Sequence, residues 1–324
     1  MAPQDDPELE IISQGYLRFA REEARGQSAP YERLARAVAE QRELLIFLRD
    51  LPPPKRQPNL FFAAARHLEG FPEDAEALAA LVRRDGERLR SVMLSRSTQT
   101  NEPARCAVLL PALAQLPPPL ALLEVGASAG LCLLPDRYGY DYGPAGRIGE
   151  GRAPTFTCRV GGAAPIPEAL PKVVWRAGLD LNPLDLRNAE DAAWLETLVW
   201  PGQESRLARL RAAVEIAKSA PPRVVKGDLT RDLVPLMAEA PKDATLVVFH
   251  TAVLSYIDSQ DLRERFAETM LKSRAVWISN ESPRVFPTFA AKAPPSPGRF
   301  LLAMDGQPVA WTGPHGQSID WFVA

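Results

Sequence analysis

The sequence predicts an α/β fold: a mostly parallel sheet with an antiparallel last strand, following an all-helical N-terminal domain. Three observations carry this. From Glu8 to about Leu116, apolar residues recur at helical spacing and no stretch reads as a strand. Beyond residue 119, short apolar runs alternate with helical patterns, the signature of crossover connections and parallel strands. The cluster Pro117-Pro118-Pro119 separates the two regimes, so the domains are expected at 1–118 and 119–324.

In the first domain, Leu9, Ile12, Tyr16 and Phe19 lie on one helical face, followed by a helix from Pro30 to Leu48. Pro52-Pro53-Pro54 stops it. A short helix around Phe61-Phe62-Ala63 and a longer one from Glu73 to about Arg96 come next. Asn101 is placed to cap a helix from Glu102 to Leu116, with Pro111 expected to kink it. In the second domain the expected strands are Leu120–Val125, Lys172–Leu179, Arg223–Lys226, Thr245–His250 and Ala275–Asn280. Helical patterns lie between them, at Leu184 to Trp200, Glu204 to Ser219, Leu229 to Ala240 and Gln260 to Lys272. Phe300–Met304 and Ile319–Val323 flank Asp305-Gly306 and Gly313-Pro314, and read as an antiparallel hairpin. Between Glu124 and Asp180 lies about twice the ~30 residues of a bare strand-helix-strand unit, so an insertion is expected at about 139–171.

Composition narrows the function classes. Proline is 32 of 324 residues, against a background of roughly 5%, yet its clustering marks boundaries rather than disorder. The net charge of −2 provides no global field to gather polyanions, so no nucleic-acid partner is expected. Three cysteines without a CxxC pair, and three histidines, offer no zinc-ligand spacing. The acidic N-terminus does not read as a signal peptide, and no apolar run has the ~18 residues of a membrane span. A cytoplasmic protein acting on a small molecule is the expectation.

The most informative stretch is Glu124-Val-Gly126-Ala-Ser128-Ala-Gly130, between a strand and a helical start. A dinucleotide fingerprint would need glycine at 128 and 131, where Ser and Leu stand. Read as GxSxG, the stretch is a nucleophile elbow, with Ser128, Asp228 or Asp258, and His315 in an order open to a serine hydrolase. The helical residues preceding it lack that fold's earlier strands and oxyanion loop. As a ligand loop, its small residues admit close backbone approach, and Glu124 suits a cationic ligand.

This last pattern resembles the acidic residue plus GxGxG of class I S-adenosylmethionine-dependent methyltransferases, with Ser128 replacing the middle glycine. The resemblance covers about 119–324 and implies a Rossmann-like methyltransferase sheet. It implies that Glu124, Gly126, Ser128 and Gly130 meet the cofactor S-adenosylmethionine, Asp180 the ribose and Asp228 the adenine amino group. Each acid taken singly has an ordinary alternative as a helix cap. His250, at the end of the fourth strand, is the first candidate for a catalytic base; Tyr256 and Glu281 are candidates to orient an acceptor. Asn101, Glu102, Arg105 and Tyr138 are substrate-side candidates. The first three compete with a helix cap and a surface ion pair, and Tyr138 with a hairpin packed by its own aromatics.

A closer resemblance covers nearly the whole chain. Thr100-Asn101-Glu102-Pro103-Ala104-Arg105, Glu124 to Leu131, Asp136-Arg137-Tyr138, Gly178-Leu-Asp180-Leu-Asn-Pro183-Leu-Asp185, Trp200-Pro201 and Gly227-Asp228 resemble an uncharacterised bacterial family known as domain of unknown function 2332. It brings no established reaction, but it implies that Ser128 is normal in this loop. Three functions therefore stay open: an S-adenosylmethionine-dependent methyltransferase, a non-catalytic nucleoside-ligand or partner-binding protein on the same fold, and a serine hydrolase.

Overall fold

The computed structural model describes residues 6–296 and 298–323. Met1–Asp5 of the acidic N-terminus, Pro297 and Ala324 lie outside the described residues. The helices are α1 (Pro7–Phe19), α2 (Ala29–Glu40), α3 (Arg42–Arg49), α4 (Pro58–Glu69), α5 (Ala75–Ser95) and α6 (Cys106–Leu113). They continue with α7 (Ala189–Thr197), α8 (Glu204–Ser219), α9 (Leu233–Ala238), α10 (Gln260–Leu271) and α11 (Pro287–Ala290). The strands are β1 (Leu120–Val125), β2 (Gly139–Asp141), β3 (Arg147–Ile148), β4 (Thr155–Thr157), β5 (Arg159–Gly162) and β6 (Val173–Asp180). After them come β7 (Arg223–Lys226), β8 (Thr245–Thr251), β9 (Val276–Glu281), β10 (Phe300–Met304), β11 (Gln307–Thr312) and β12 (Ser318–Trp321).

The chain divides into two compact units, Met1–Thr100 with Ala189–Ala208, and Asn101–Asn188 with Arg209–Ala324. The boundary falls at 100/101 rather than 118/119 because every residue of α6 is buried within the second unit. The segment 189–208 joins the first unit instead of the sheet unit. Trp194 Nε1 donates to Ser97 O at 3.1 Å, and Arg66 donates to the carbonyls of Thr197 and Val199.

The described residues of the first unit form helices and no strand. Helix α1 is started by Asp6, which accepts from Glu8 N, and buries Leu9, Ile12, Tyr16 and Phe19 as its spacing predicts. The single helix expected over 30–48 is two: Gln41 is extended, with φ −95° and ψ 94°, and separates α2 from α3. Helix α5 is kinked at Asp85, just before Gly86. Trp200 is a packing residue, its ring 5.4 Å from Phe19 and 5.6 Å from Tyr31.

The second unit is α/β. Its nine-stranded sheet among the described residues runs β5-β12-β11-β10-β9-β8-β1-β6-β7. The pairs β7–β6, β6–β1, β1–β8 and β8–β9 are parallel. Central β1 places Leu123 opposite Ala177 of β6 and Val248 of β8, and all six of its residues are buried, as an apolar run between two parallel neighbours should be. Leu123, Val125, Val248, Trp277 and Phe266 form the core on one face of the sheet. The chain steps from β6 to β7 on one side of β1 and from β8 to β9 on the other. The strand order therefore reverses between β1 and β8, where open α/β sheets place their ligand crevice.

The expected terminal hairpin is a three-stranded antiparallel run, β10-β11-β12, so the sheet ends with more than one reversed pairing. Asp305 and Gly306, both at positive φ, form a two-residue turn into β11. The insertion provides the small sheet β3-β2-β4 and also β5, which extends the main sheet parallel to β12. No described helix is long and apolar enough to cross a membrane.

Candidate functional site

The glycine loop after β1 is held in a conformation that few residues tolerate. Gly126, Ser128 and Gly130 all have positive φ, at 72°, 51° and 72°. For Ser128 this region costs roughly 1–2 kcal/mol, and surrounding bonds hold it there. Its N–H donates to Asp180 Oδ2 at 2.8 Å, its carbonyl accepts from Leu184 N at 3.1 Å, and its Oγ accepts from Asn101 Nδ2 at 2.8 Å. Asn101 Oδ1 also accepts from Ala129 N at 3.2 Å. Asn101 is therefore not the helix cap its position suggests; that role falls to Glu102, whose Oε1 accepts from Ala104 N. A Cβ at Gly126 would stand 2.0 Å from Val253 Cγ2, so this loop and the turn after β8 close on each other.

Three carboxyls stand at or just beyond the carboxyl ends of the adjacent strands β1, β6 and β7. Glu124 is buried, and its Oε2 has no hydrogen-bond partner. Burial, then proximity to Cys132 and Asp180, pushes its carboxyl well above the usual carboxylate range, with Arg105 opposing. Asp180 accepts from Ser128 N through Oδ2 and from Asn182 N through Oδ1 at 2.7 Å. Each oxygen has a second lone pair for a further donor. Asp228 Oδ1 accepts from Thr230 N and Oγ1, and the Thr230 hydroxyl bond holds its carboxyl below the ordinary value.

Glu102 and Arg105 are buried, which excludes the surface ion pair. Arg105 Nε donates to Pro314 O at 2.9 Å, and Nη1 to Thr251 O and Oγ1 at 3.1 and 3.3 Å. One guanidinium thus ties the segment before α6 to the end of β8 and to the β11–β12 turn. From that turn, His315 Nδ1 comes within 4.0 Å of Glu102 Oε2.

His250 does not hold the place of a general base. It is fully buried; its Nδ1 lies 2.8 Å from Glu281 Oε1, and Trp277 Nε1 donates to its Nε2 at 3.0 Å. An indole nitrogen only donates, so Nε2 is the acceptor and Nδ1 carries the proton. Both nitrogens are engaged, and neither can take a proton from an acceptor. Glu281 Oε1 also accepts from Val253 N and Leu254 N, so Glu281 holds the turn after β8 rather than orienting an acceptor. Tyr256, 64% exposed in that turn, shares none of these bonds. Tyr138 is not free to meet a substrate: its hydroxyl is buried and donates to Leu131 O at 2.9 Å. Tyr140 and Tyr142 likewise donate to Pro135 O and Ala107 O at 2.7 Å, and burial pushes all three phenols up.

The structure brings together Asn101, Glu124, Gly126, Ser128, Gly130 and Asp180, with Glu102 and Arg105 beside them. Asp228 stands two strands from β1, and His250 with Glu281 forms a separate buried trio with Trp277. As a hydrolase nucleophile Ser128 is poorly served, since its Oγ is bound by an amide and Asp228 by Thr230. Sequence reasoning missed Thr251 as the anchor of Arg105 and Pro314 as a neighbour of the site, and it reached His315 only as the histidine of a hydrolase triad. The Gly313-Pro314 turn signal marked that bend but not its destination. Among the described residues, no group of three or more His, Cys, Asp or Glu could hold a metal ion.

No curated protein and no solved structure matches the chain. A family model described as "uncharacterized protein conserved in bacteria (DUF2332)" matches residues 13–321. That span takes in the first helices, the glycine loop, the three acids and the terminal antiparallel strands, and the chain belongs to the DUF2332 family.

Proposed function

We propose that the second unit is a Rossmann-like methyltransferase-type domain that binds S-adenosylmethionine across the carboxyl ends of β1, β6 and β7, and transfers its methyl group to a small molecule. The observation that carries this reading is the placement of Glu124, Asp180 and Asp228 along three adjacent parallel strands, beside a loop held at positive φ. The residues fit the ligand's donors. The unpartnered Glu124 Oε2 is an acceptor for an ammonium group, directly or through water. Asp180 retains acceptor capacity for ribose hydroxyls, and Asp228 for an amino group. When bound, S-adenosylmethionine supplies an activated methyl group. The chain's own contribution is binding, orientation and exclusion of water, since His250 is not free to act as a base.

Calorimetric titration of the full chain with S-adenosylmethionine tests this. Binding by wild type, weakened at least about tenfold in Asp180→Ala and Asp228→Ala, is the expected result; a wild type that binds none removes the cofactor assignment. The engagement of both His250 nitrogens favours a second reading, a nucleoside-ligand protein without turnover. Binding without methyl transfer across a panel of acceptors would select it.

A further inference from the structure

Within the second unit lies a pocket of about 750 Å³, apart from the carboxyl-end cluster. It is walled by the insertion (Tyr142, Arg159 and Val160), by Arg209 of α8, and by His315 and Gln317 of the β11–β12 turn. Its volume is in the range that encloses small organic ligands, ~300–1,000 Å³.

The charged side chains of the lining are Arg159 and Arg209, with the imidazole of His315 beside them and no Asp or Glu. Carboxylates outside the lining face two of these groups. Asp320 lies 3.7 Å from the exposed Arg159, and Glu102 lies 4.0 Å from His315. Arg209 has no ion pair or hydrogen bond among the described residues. An unpaired guanidinium fork on a residue that lines a concave, partly apolar space is a ready partner for a carboxylate or a phosphate. Gln317 adds direction: its Oε1 accepts from His315 N at 2.9 Å, which leaves the amide nitrogen as a donor. Tyr142 and Val160 provide apolar wall for a carbon skeleton.

We propose that this pocket binds a small organic anion bearing a carboxylate or phosphate group, held by Arg209 with His315 and Gln317, and by Arg159 at its rim. The site stands on its own residues and does not depend on the S-adenosylmethionine reading. Cys158 in the wall takes no part as a nucleophile, because burial pushes its thiol up to about 12.

Calorimetric titration of the full chain at low ionic strength, with citrate as the carboxylate probe and inorganic pyrophosphate as the phosphate probe, tests the proposal. One of the two is expected to bind with one-to-one stoichiometry and glycerol not at all, with affinity falling as salt rises. Arg209→Ala should weaken that binding at least about tenfold (some 1.4 kcal/mol), Arg209→Lys less, and Asp180→Ala not at all. Arg209 is partly exposed and unpaired, so its replacement leaves the fold intact, which circular dichroism would verify. Failure of both anions to bind at about 1 mM, or equal binding by Arg209→Ala, overturns it.

Discussion

Asn101 Nδ2 donates to Ser128 Oγ at 2.8 Å while Asn101 Oδ1 accepts from Ala129 N, so one amide side chain closes a ring on the glycine loop. The loop is strained at Ser128, and that ring offsets the strain. Asn101→Ala removes both bonds and leaves the Ala129 N–H without its partner. The loss expected is about 1–3 kcal/mol, read as a lower urea midpoint with an unchanged slope. Asn101→Asp keeps the acceptor for Ala129 N but loses the donor to Ser128, and should fall between wild type and Ala.

Gly126 meets a different requirement, close packing against Val253. Gly126→Ala meets two penalties, the positive φ and a Cβ only 2.0 Å from Val253 Cγ2. Each costs about 1–3 kcal/mol. Only the second depends on Val253. The double variant Gly126→Ala/Val253→Ala should therefore recover part of the loss, and a double-mutant cycle in urea should give a coupling above about 0.5 kcal/mol. Strict additivity would mean that the loop and the turn after β8 do not touch.

Glu124 sets a pH dependence whose sign follows from its burial. Its folded carboxyl titrates well above the ordinary 4.5, so between the two values the folded chain holds a proton that the unfolded chain has lost. The stabilisation is fully present below the unfolded pKa and is lost as pH rises through the folded one. Glu124→Gln keeps the shape without the proton equilibrium. The stability of wild type relative to this variant should fall as pH rises above the ordinary carboxylate value toward the raised folded one, at up to about 1.4 kcal/mol per pH unit. Urea unfolding across that range measures it, and parallel curves would show that Glu124 does not titrate there.

The strands that build this site were legible because buried parallel strands are short apolar runs. Leu120–Val125, Arg223–Lys226 and Thr245–Thr251 stand within a residue of where the sequence places them. The β11 strand was not, since it carries Pro308. That proline sits beside an irregularity in the register between Leu302 and Ala303, a position where a missing N–H is tolerated. The break at Gln41 has no glycine or proline to announce it. Of the site, the loop and its acids were legible as types at strand ends. The contact of Arg105 with Thr251 joins residues far apart in the chain, and no local pattern encodes it. His250 was misread for a related reason: a histidine at a strand end does not reveal which face it takes. Only the pairing of His250 with Ser279 brings Trp277, two residues back on the same face of β9, within reach.

The trio of His250, Trp277 and Glu281 separates a structural role from a catalytic one. His250→Ala strands the indole N–H of Trp277 and removes a ring packed against Phe266. A loss of about 2–4 kcal/mol follows from an unsatisfied buried donor and a cavity together. Glu281→Gln should cost less, because an amide oxygen still accepts from Val253 N, Leu254 N and His250 Nδ1 once the side chain is oriented that way. If His250 were a base, His250→Gln would abolish turnover while leaving ligand affinity and its salt dependence unchanged. If it is a strut, unfolding midpoint and ligand affinity should fall together, as the turn carrying Val253 loosens against Gly126. Measuring both in one set of variants distinguishes the two, and the buried, doubly bonded imidazole points to the strut.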